Sequence, residues 1–268
     1  MSALAPVFEQ CRAEDRAALV TYLPCGYPSK QGGIDTVVAM VEAGADIVEI
    51  GVAYSDPVMD GPVIQRAADD ALRGGIRVRD VFAYAEAVAS AGGAPVVMAY
   101  WNPVLKYGVE AFARDLAAAG GKGLITPNLI PDEAGDWIEA ADRHGLDKIF
   151  LAAPSSTPER LAMTAEASSG FLYAASTMGV TGARDVVDNV APALVKRVRE
   201  VSDIPVGVGL GVRSRAGRRD RRLRRRRDRR IRPGQCRRGI ARRRPFADRG
   251  ARRRCPWILI RAPPRSRW

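Results

Sequence analysis

Residues 47–62 read Ile47-Val48-Glu49-Ile50-Gly51, then Val52-Ala53, then Tyr54-Ser55-Asp56-Pro57-Val58-Met59-Asp60-Gly61-Pro62. The first five form a continuous apolar run interrupted by one acid. A run of that kind fits a strand covered on both faces, as in a parallel sheet wrapped by helices. A carboxylate placed there loses solvation, which disfavours its charged form and raises its pKa. Two readings of Glu49 follow: a strand-end glutamate paired with a neighbouring cation, or a general acid/base tuned toward neutrality. The loop behind it carries Asp56, Asp60, Pro57, Pro62 and Gly61, and is stiff and polar. Asp-Pro and Asp-Gly are also ordinary turn chemistry.

The same alternation runs outward in both directions. Strands are predicted at Ala18–Leu23, Ile47–Gly51, Pro95–Tyr100, Gly123–Thr126, Lys148–Ala152, Phe171–Ala174 and Pro205–Gly209. Helices are predicted at Ile34–Ala43, Val63–Leu72, Val81–Ala91, Val109–Ala119, Glu133–His144, Pro158–Ala167 and Pro192–Val201. Asp132 ahead of Glu133, and Thr157-Pro158, supply helix-start signals. Strands joined by helical crossovers leave two architectures, an open doubly wound sheet or a (β/α)₈ barrel. A barrel wants an eighth strand after Pro205–Gly209, and the sequence offers none.

The chain has 268 residues, 47% of them hydrophobic, which suits one large α/β domain and excludes global disorder. No apolar run has the length of a membrane helix, and no secretory signal is visible, so a cytoplasmic protein is expected. Cys11, Cys25, Cys236 and Cys255 lack the spacing of a disulfide framework or zinc site. The net charge of +12 divides unevenly. Residues 213–268 hold 25 arginines, no lysine and three aspartates (Asp220, Asp228, Asp248), a formal +22. The other 17 basic and 27 acidic residues leave residues 1–212 at −10.

Residues 1–212 therefore read as the globular domain and 213–268 as an arginine-rich tail. Three readings of the tail stand: an arm binding nucleic acid through counterion release, a solvated segment without a role, or a shifted reading frame. Arginine without lysine favours the third, because shifted alanine and glycine codons of a GC-rich gene yield arginine. With suitable synonymous codons, Gly217–Cys236 read one base later becomes an alanine-rich helix followed by Val-Ile-Val-Gly-Ser. That is the missing eighth unit.

Gly179-Val180-Thr181-Gly182 and Gly207-Val208-Gly209-Leu210-Gly211 each follow a predicted strand. Glycines let backbone N–H groups approach an anion, so the two loops together suggest a phosphate site. His144, before Gly145, reads as a helix-end residue. As the chain's one histidine it argues against a Ser-His-Asp triad or a histidine-rich metal site.

Val48-Glu49-Ile50-Gly51, Ser55-Asp56-Pro57-Val58-Met59-Asp60-Gly61-Pro62-Val63-Ile64-Gln65 and Gly179-Val180-Thr181-Gly182 together resemble the α subunit of tryptophan synthase. Tyr100-Trp101-Asn102-Pro103 and Gly207–Gly211 support the likeness, which covers residues 10–216. Ala153-Pro154-Ser155-Ser156-Thr157 and Ala174-Ala175-Ser176-Thr177-Met178-Gly179 resemble actinobacterial members. The resemblance implies a TIM barrel and a carbon–carbon lyase without metal or organic cofactor. Its reaction would split indole-3-glycerol phosphate into indole and glyceraldehyde 3-phosphate. It implies Glu49, Asp60 and Tyr173 as catalytic residues, Tyr22 and Tyr100 lining the indole pocket, and Thr181 on a mobile loop. Gly182 and Gly211 would bind the phosphate. It also implies a β-subunit partner carrying pyridoxal phosphate, in an α₂β₂ tetramer. Two departures stand out: Asn128 replaces the family's usual aspartate, and the Gly-Ser phosphate loop after strand eight is missing. The other readings are a phosphosugar-binding barrel with a nucleic-acid-binding arm, and an inactive product.

Overall fold

The computed structural model of the chain describes residues 2–175, 190–209 and 257–261. The strands are β1 (Ala18–Pro24), β2 (Ile47–Gly51), β3 (Ala94–Met98), β4 (Gly123–Ile125), β5 (Asp147–Ile149), β6 (Leu151–Ala152), β7 (Leu172–Ala175), β8 (Val206–Gly209) and β9 (Trp257–Arg261). The helices are α1 (Ala5–Ala13), α2 (Lys30–Glu42), α3 (Pro62–Arg73), α4 (Val81–Ser90), α5 (Trp101–Tyr107), α6 (Val109–Ala118), α7 (Gly135–His144), α8 (Pro158–Ala167) and α9 (Val190–Arg199). Every predicted strand is present, and the predicted Lys148–Ala152 run is divided at Phe150 into β5 and β6.

The sheet order is β5-β4-β3-β2-β1-β9-β8-β7-β6. Its two ends, β5 and β6, are one stretch of chain on either side of Phe150, so the order closes into a ring. This is a (β/α)₈ barrel. The open doubly wound sheet is excluded. Parallel pairing from β1 to β5 and from β6 to β8 sends the connections that follow these strands to one rim.

The eighth position corrects the expectation that nothing follows β8. Trp257–Arg261 lies between β8 and β1, antiparallel to both. Trp257 pairs with Thr21 near the rim where β1 ends, and Arg261 pairs with Val206 at the start of β8. Both flanking strands thereby find hydrogen-bond partners and no edge is left open between them. Because the strand runs backwards, the chain leaves it at the opposite end of the barrel.

Alternation along the strands sorts the core. Val20, Ile47, Val96, Ile125, Ile149 and Phe171 pack inside the barrel, while Leu23, Val48, Ile50, Val97 and Leu124 pack outward against helices. Helix α1, absent from the sequence reading, plugs the bottom with Leu4 before it and Phe8 within it, and Phe8 meets Phe171 edge-on at 6.3 Å. Buried Asp147 fastens that plug by accepting from the Ser2 hydroxyl at 2.8 Å and the Leu4 N–H at 2.9 Å.

Helix starts follow their caps where side chains reach. Ser29 accepts from the Gly32 N–H for α2, and Thr157 accepts from the Arg160 N–H for α8 with Pro158 in the first turn. The start signal at Asp132 is corrected. Pro131–Glu133 is a 3₁₀ turn, α7 begins at Gly135 without a side-chain cap, and Asp132 pairs with Arg160 instead. Among the described residues no helix is long and apolar enough to cross a membrane.

Truncating Phe8 to alanine empties the centre of the bottom plug. It is expected to cost about 3–5 kcal/mol, read as a lower denaturant midpoint. A change below about 1 kcal/mol would show that the plug is not part of the core.

Candidate active site

Strand β2 carries Glu49 into the barrel. All five of its residues are buried, and Glu49 is 1% exposed. Val48 and Ile50 face the helices, so Glu49 between them faces the axis. Register places Tyr22 of β1 on one side of it and Val96 of β3 on the other. Its Oε2 has no hydrogen-bond partner, and no cation pairs with it among the described residues. Among the described residues Glu49 is therefore not ion-paired. Burial first, then the nearby charge of Asp60, push its carboxyl up to about 8.

Asp60 ends the loop that leaves β2, one residue before Gly61 and the proline that opens α3. It is half-buried, and loss of solvent pushes its carboxyl up to about 6. The hydroxyls of Tyr22 and Tyr173 are driven well above the usual phenol range, by burial first and then by the charges of both carboxyls. Tyr22 and Glu49 are register neighbours, and the charge of Asp60 is felt by both and by Tyr173. Neutral phenols there can donate a hydrogen bond to a carboxylate or a substrate oxygen.

Two glycines make that arrangement sterically feasible. A methyl group at Gly51 would overlap the Tyr22 hydroxyl, and one at Gly209 would overlap the Tyr173 hydroxyl. Gly209 belongs to the run read as a phosphate loop, and its visible task is to leave room for Tyr173. Thr181, Gly182 and Gly211 lie outside the described residues.

Tyr100 sits deeper than a simple pocket wall. It is 5% exposed, its hydroxyl oxygen accepts from the Met59 N–H at 2.9 Å, and its ring lies 5.5 Å from that of Tyr54. Asn102 donates to the Tyr54 hydroxyl at 3.1 Å. Asn128 accepts from the Trp101 N–H at 2.9 Å through Oδ1, covering the first turn of α5. An amide oxygen serves that bond without the charge an aspartate would bring. Gln65 in α3, which sequence reasoning gave no role, donates from Nε2 to the Asp60 carbonyl at 2.8 Å. Its position one helical turn beyond the loop was the available signal. His144 is the last residue of α7 and bonds Glu110 at 2.8 Å, a surface contact away from the barrel mouth. Among the described residues no cluster of three or more His, Cys, Asp or Glu side chains could hold a metal ion.

Comparison with known proteins gives this geometry a context. The family model described as "Tryptophan synthase alpha chain" matches residues 8–220. A tryptophan synthase alpha chain from Mycolicibacterium paratuberculosis is 70% identical over 214 residues, covering 80% of this chain and 79% of that protein. A solved tryptophan synthase of Mycobacterium tuberculosis superposes with a TM-score of 0.78 at 67% identity, over 81% of this chain and 83% of that one. A tryptophan synthase complex from Pyrococcus furiosus gives 0.67 at 30% identity, over 75% and 80%. The chain belongs to the tryptophan synthase alpha chain family, the lyases that cleave indole-3-glycerol phosphate in tryptophan biosynthesis.

Proposed function

We propose that Glu49 and Asp60 perform this cleavage as two carboxyls tuned apart by burial. Near pH 7 Glu49 is mainly protonated and Asp60 mainly ionised. Glu49 gives its proton to indole C3, while Asp60 accepts from the indole N–H and stabilises the indolenine cation. Glu49, now a carboxylate, takes the proton of the glycerol hydroxyl next to C3. The C–C bond breaks, its electrons return to the ring, and indole and glyceraldehyde 3-phosphate separate. Glu49 ends protonated, so the proton count closes without a redox step. Tyr173 orients the Glu49 carboxyl, and Tyr22 and Tyr100 bound the indole. The family resemblance implies a loop role for Thr181 and phosphate binding by Gly182 and Gly211. The observation that carries this reading is a fully buried carboxyl whose Oε2 has no hydrogen-bond partner among the described residues and which feels the charge of Asp60.

A β subunit is the partner, and the pyridoxal phosphate of the pair resides there. Val58, Val63, Leu105 and Ile130 support a docking rim. They are 71%, 54%, 55% and 44% exposed on segments that follow β2, β3 and β4, all on the functional face. The setting is the cytoplasm. Residues beyond 216 are read in a shifted frame: the family match ends at 220, and about a fifth of the M. paratuberculosis relative has no counterpart in this chain. On this reading 1–212 is the lyase domain and 213–268 a replaced ending. A nucleotide sequence that fails to give Val-Ile-Val-Gly-Ser one base later would refute it.

Glu49→Gln is expected to lower indole release by about 10²-fold or more. Retained activity would remove Glu49 from the mechanism. In the parent, kcat/KM should follow a bell with limbs near pH 6 and pH 8, where Asp60 must be ionised and Glu49 protonated. A flat profile across that window contradicts the pairing.

Stability gives an independent check. Folding raises the Glu49 pKa from 4.5 to about 8, so the folded chain holds an extra proton between those values. Its stability therefore falls as pH rises through that window. Glu49→Gln, which carries no charge, should exceed the parent by about 4 kcal/mol at pH 8, a margin that shrinks to about 1 kcal/mol at pH 5. Equal thermal midpoints at both pH values would place Glu49 in water.

A further inference from the structure

The loop that carries Asp60 is held from two sides, and neither hold is needed to line the pocket. From below, the Tyr100 hydroxyl accepts from the Met59 N–H at 2.9 Å. From the helix side, Gln65 Nε2 donates to the Asp60 carbonyl at 2.8 Å. The Tyr100 ring is itself wedged against Tyr54, which Asn102 holds by its hydroxyl. Tyr100, Trp101 and Asn102 all belong to the segment that follows β3, and Asn128 after β4 fixes that segment through the Trp101 N–H. Three consecutive rim segments are therefore tied in series, and the last tie lands on the residues next to the Asp60 side chain.

We infer that Tyr100, through its hydroxyl, and Gln65, through its side-chain amide, are positioning residues that fix the backbone on both sides of Asp60 and so aim its carboxyl at the indole N–H. This rests on the reading of Asp60 given above. A carboxyl on a free loop would spend much of its time hydrated and turned outward, whereas a geometric error of about 1 Å at a reacting group costs on the order of 10²-fold. The clamp uses neutral groups, which hold the loop without adding a charge beside Asp60. Phenylalanine at position 100 would keep the apolar wall and delete the tie. Methionine at 65 would keep the stem and delete the donor.

The test compares the full-length parent with Tyr100→Phe, Gln65→Met and the double variant in indole release and in hydrogen exchange. Tyr100→Phe and Gln65→Met should each lower kcat by about five- to tenfold, one hydrogen bond's worth, with KM changed by less than about twofold. The acid limb of kcat/KM should move to lower pH, because a loosened loop hydrates Asp60 and relieves the burial that raises its pKa. The double variant should lose less than the product of the two, since one release already frees the segment. Amides of residues 58–61 should exchange faster in each variant, with the peptides of β3 and α4 unchanged. Unaltered exchange in residues 58–61 overturns the clamp. Faster exchange with unaltered kcat and an unmoved acid limb overturns its role in positioning. A parent that releases no indole overturns the lyase reading of this chain and the catalytic role with it, and the exchange data then decide the clamp alone.

Discussion

A single carboxyl inside a strand whose every residue is buried sets the terms for the rest of the site. Glu49 cannot ionise near its ordinary pKa because water does not reach it and no cation answers it among the described residues. The barrel bears that cost in one place, on a strand whose five residues are all buried. Everything nearby is arranged around the consequence, a carboxylic acid that still holds its proton at neutral pH.

Asp60 answers it from different material. It stands on a loop, half-buried, and its pKa rises less. A rigid strand and a tethered loop thus turn two chemically similar groups into an acid and an anion. The tyrosines between them remain neutral because both burial and the two carboxyls oppose their ionisation. Gly51 and Gly209 are the steric condition for that cluster, since any side chain at either would occupy the space of a phenol oxygen.

Much of this was legible in the sequence because the signals were local. The uninterrupted run at Ile47–Gly51 with one acid announced both a covered strand and an unusual carboxyl, and the Asp-Pro and Asp-Gly loop followed directly. Seven strands could be placed from such runs. The eighth position was missed for a physical reason: Trp257-Ile258-Leu259-Ile260-Arg261 is a good strand pattern, yet it lies far beyond β8 and inserts antiparallel, against the expectation of a short right-handed crossover. The bottom plug of Phe8 was equally invisible, because it depends on a contact with Phe171 that no periodicity connects. Asn128 read as a lost charge, and in three dimensions it is a neutral acceptor for the Trp101 N–H.

The backwards eighth strand separates barrel closure from barrel function. Closure needs only backbone partners for β1 and β8, and a five-residue apolar segment supplies them. The proposed acid–base pair needs β2, its loop and the first turn of α3, all of which lie within residues 8–220 matched by the family model. The most direct test is an infrared titration of the Glu49 carboxyl, taken as the difference between the parent and Glu49→Gln. The account predicts a protonated carbonyl band that persists at pH 7 and disappears with a midpoint near 8. A midpoint near 4.5, the ordinary value for a hydrated glutamate, would contradict it.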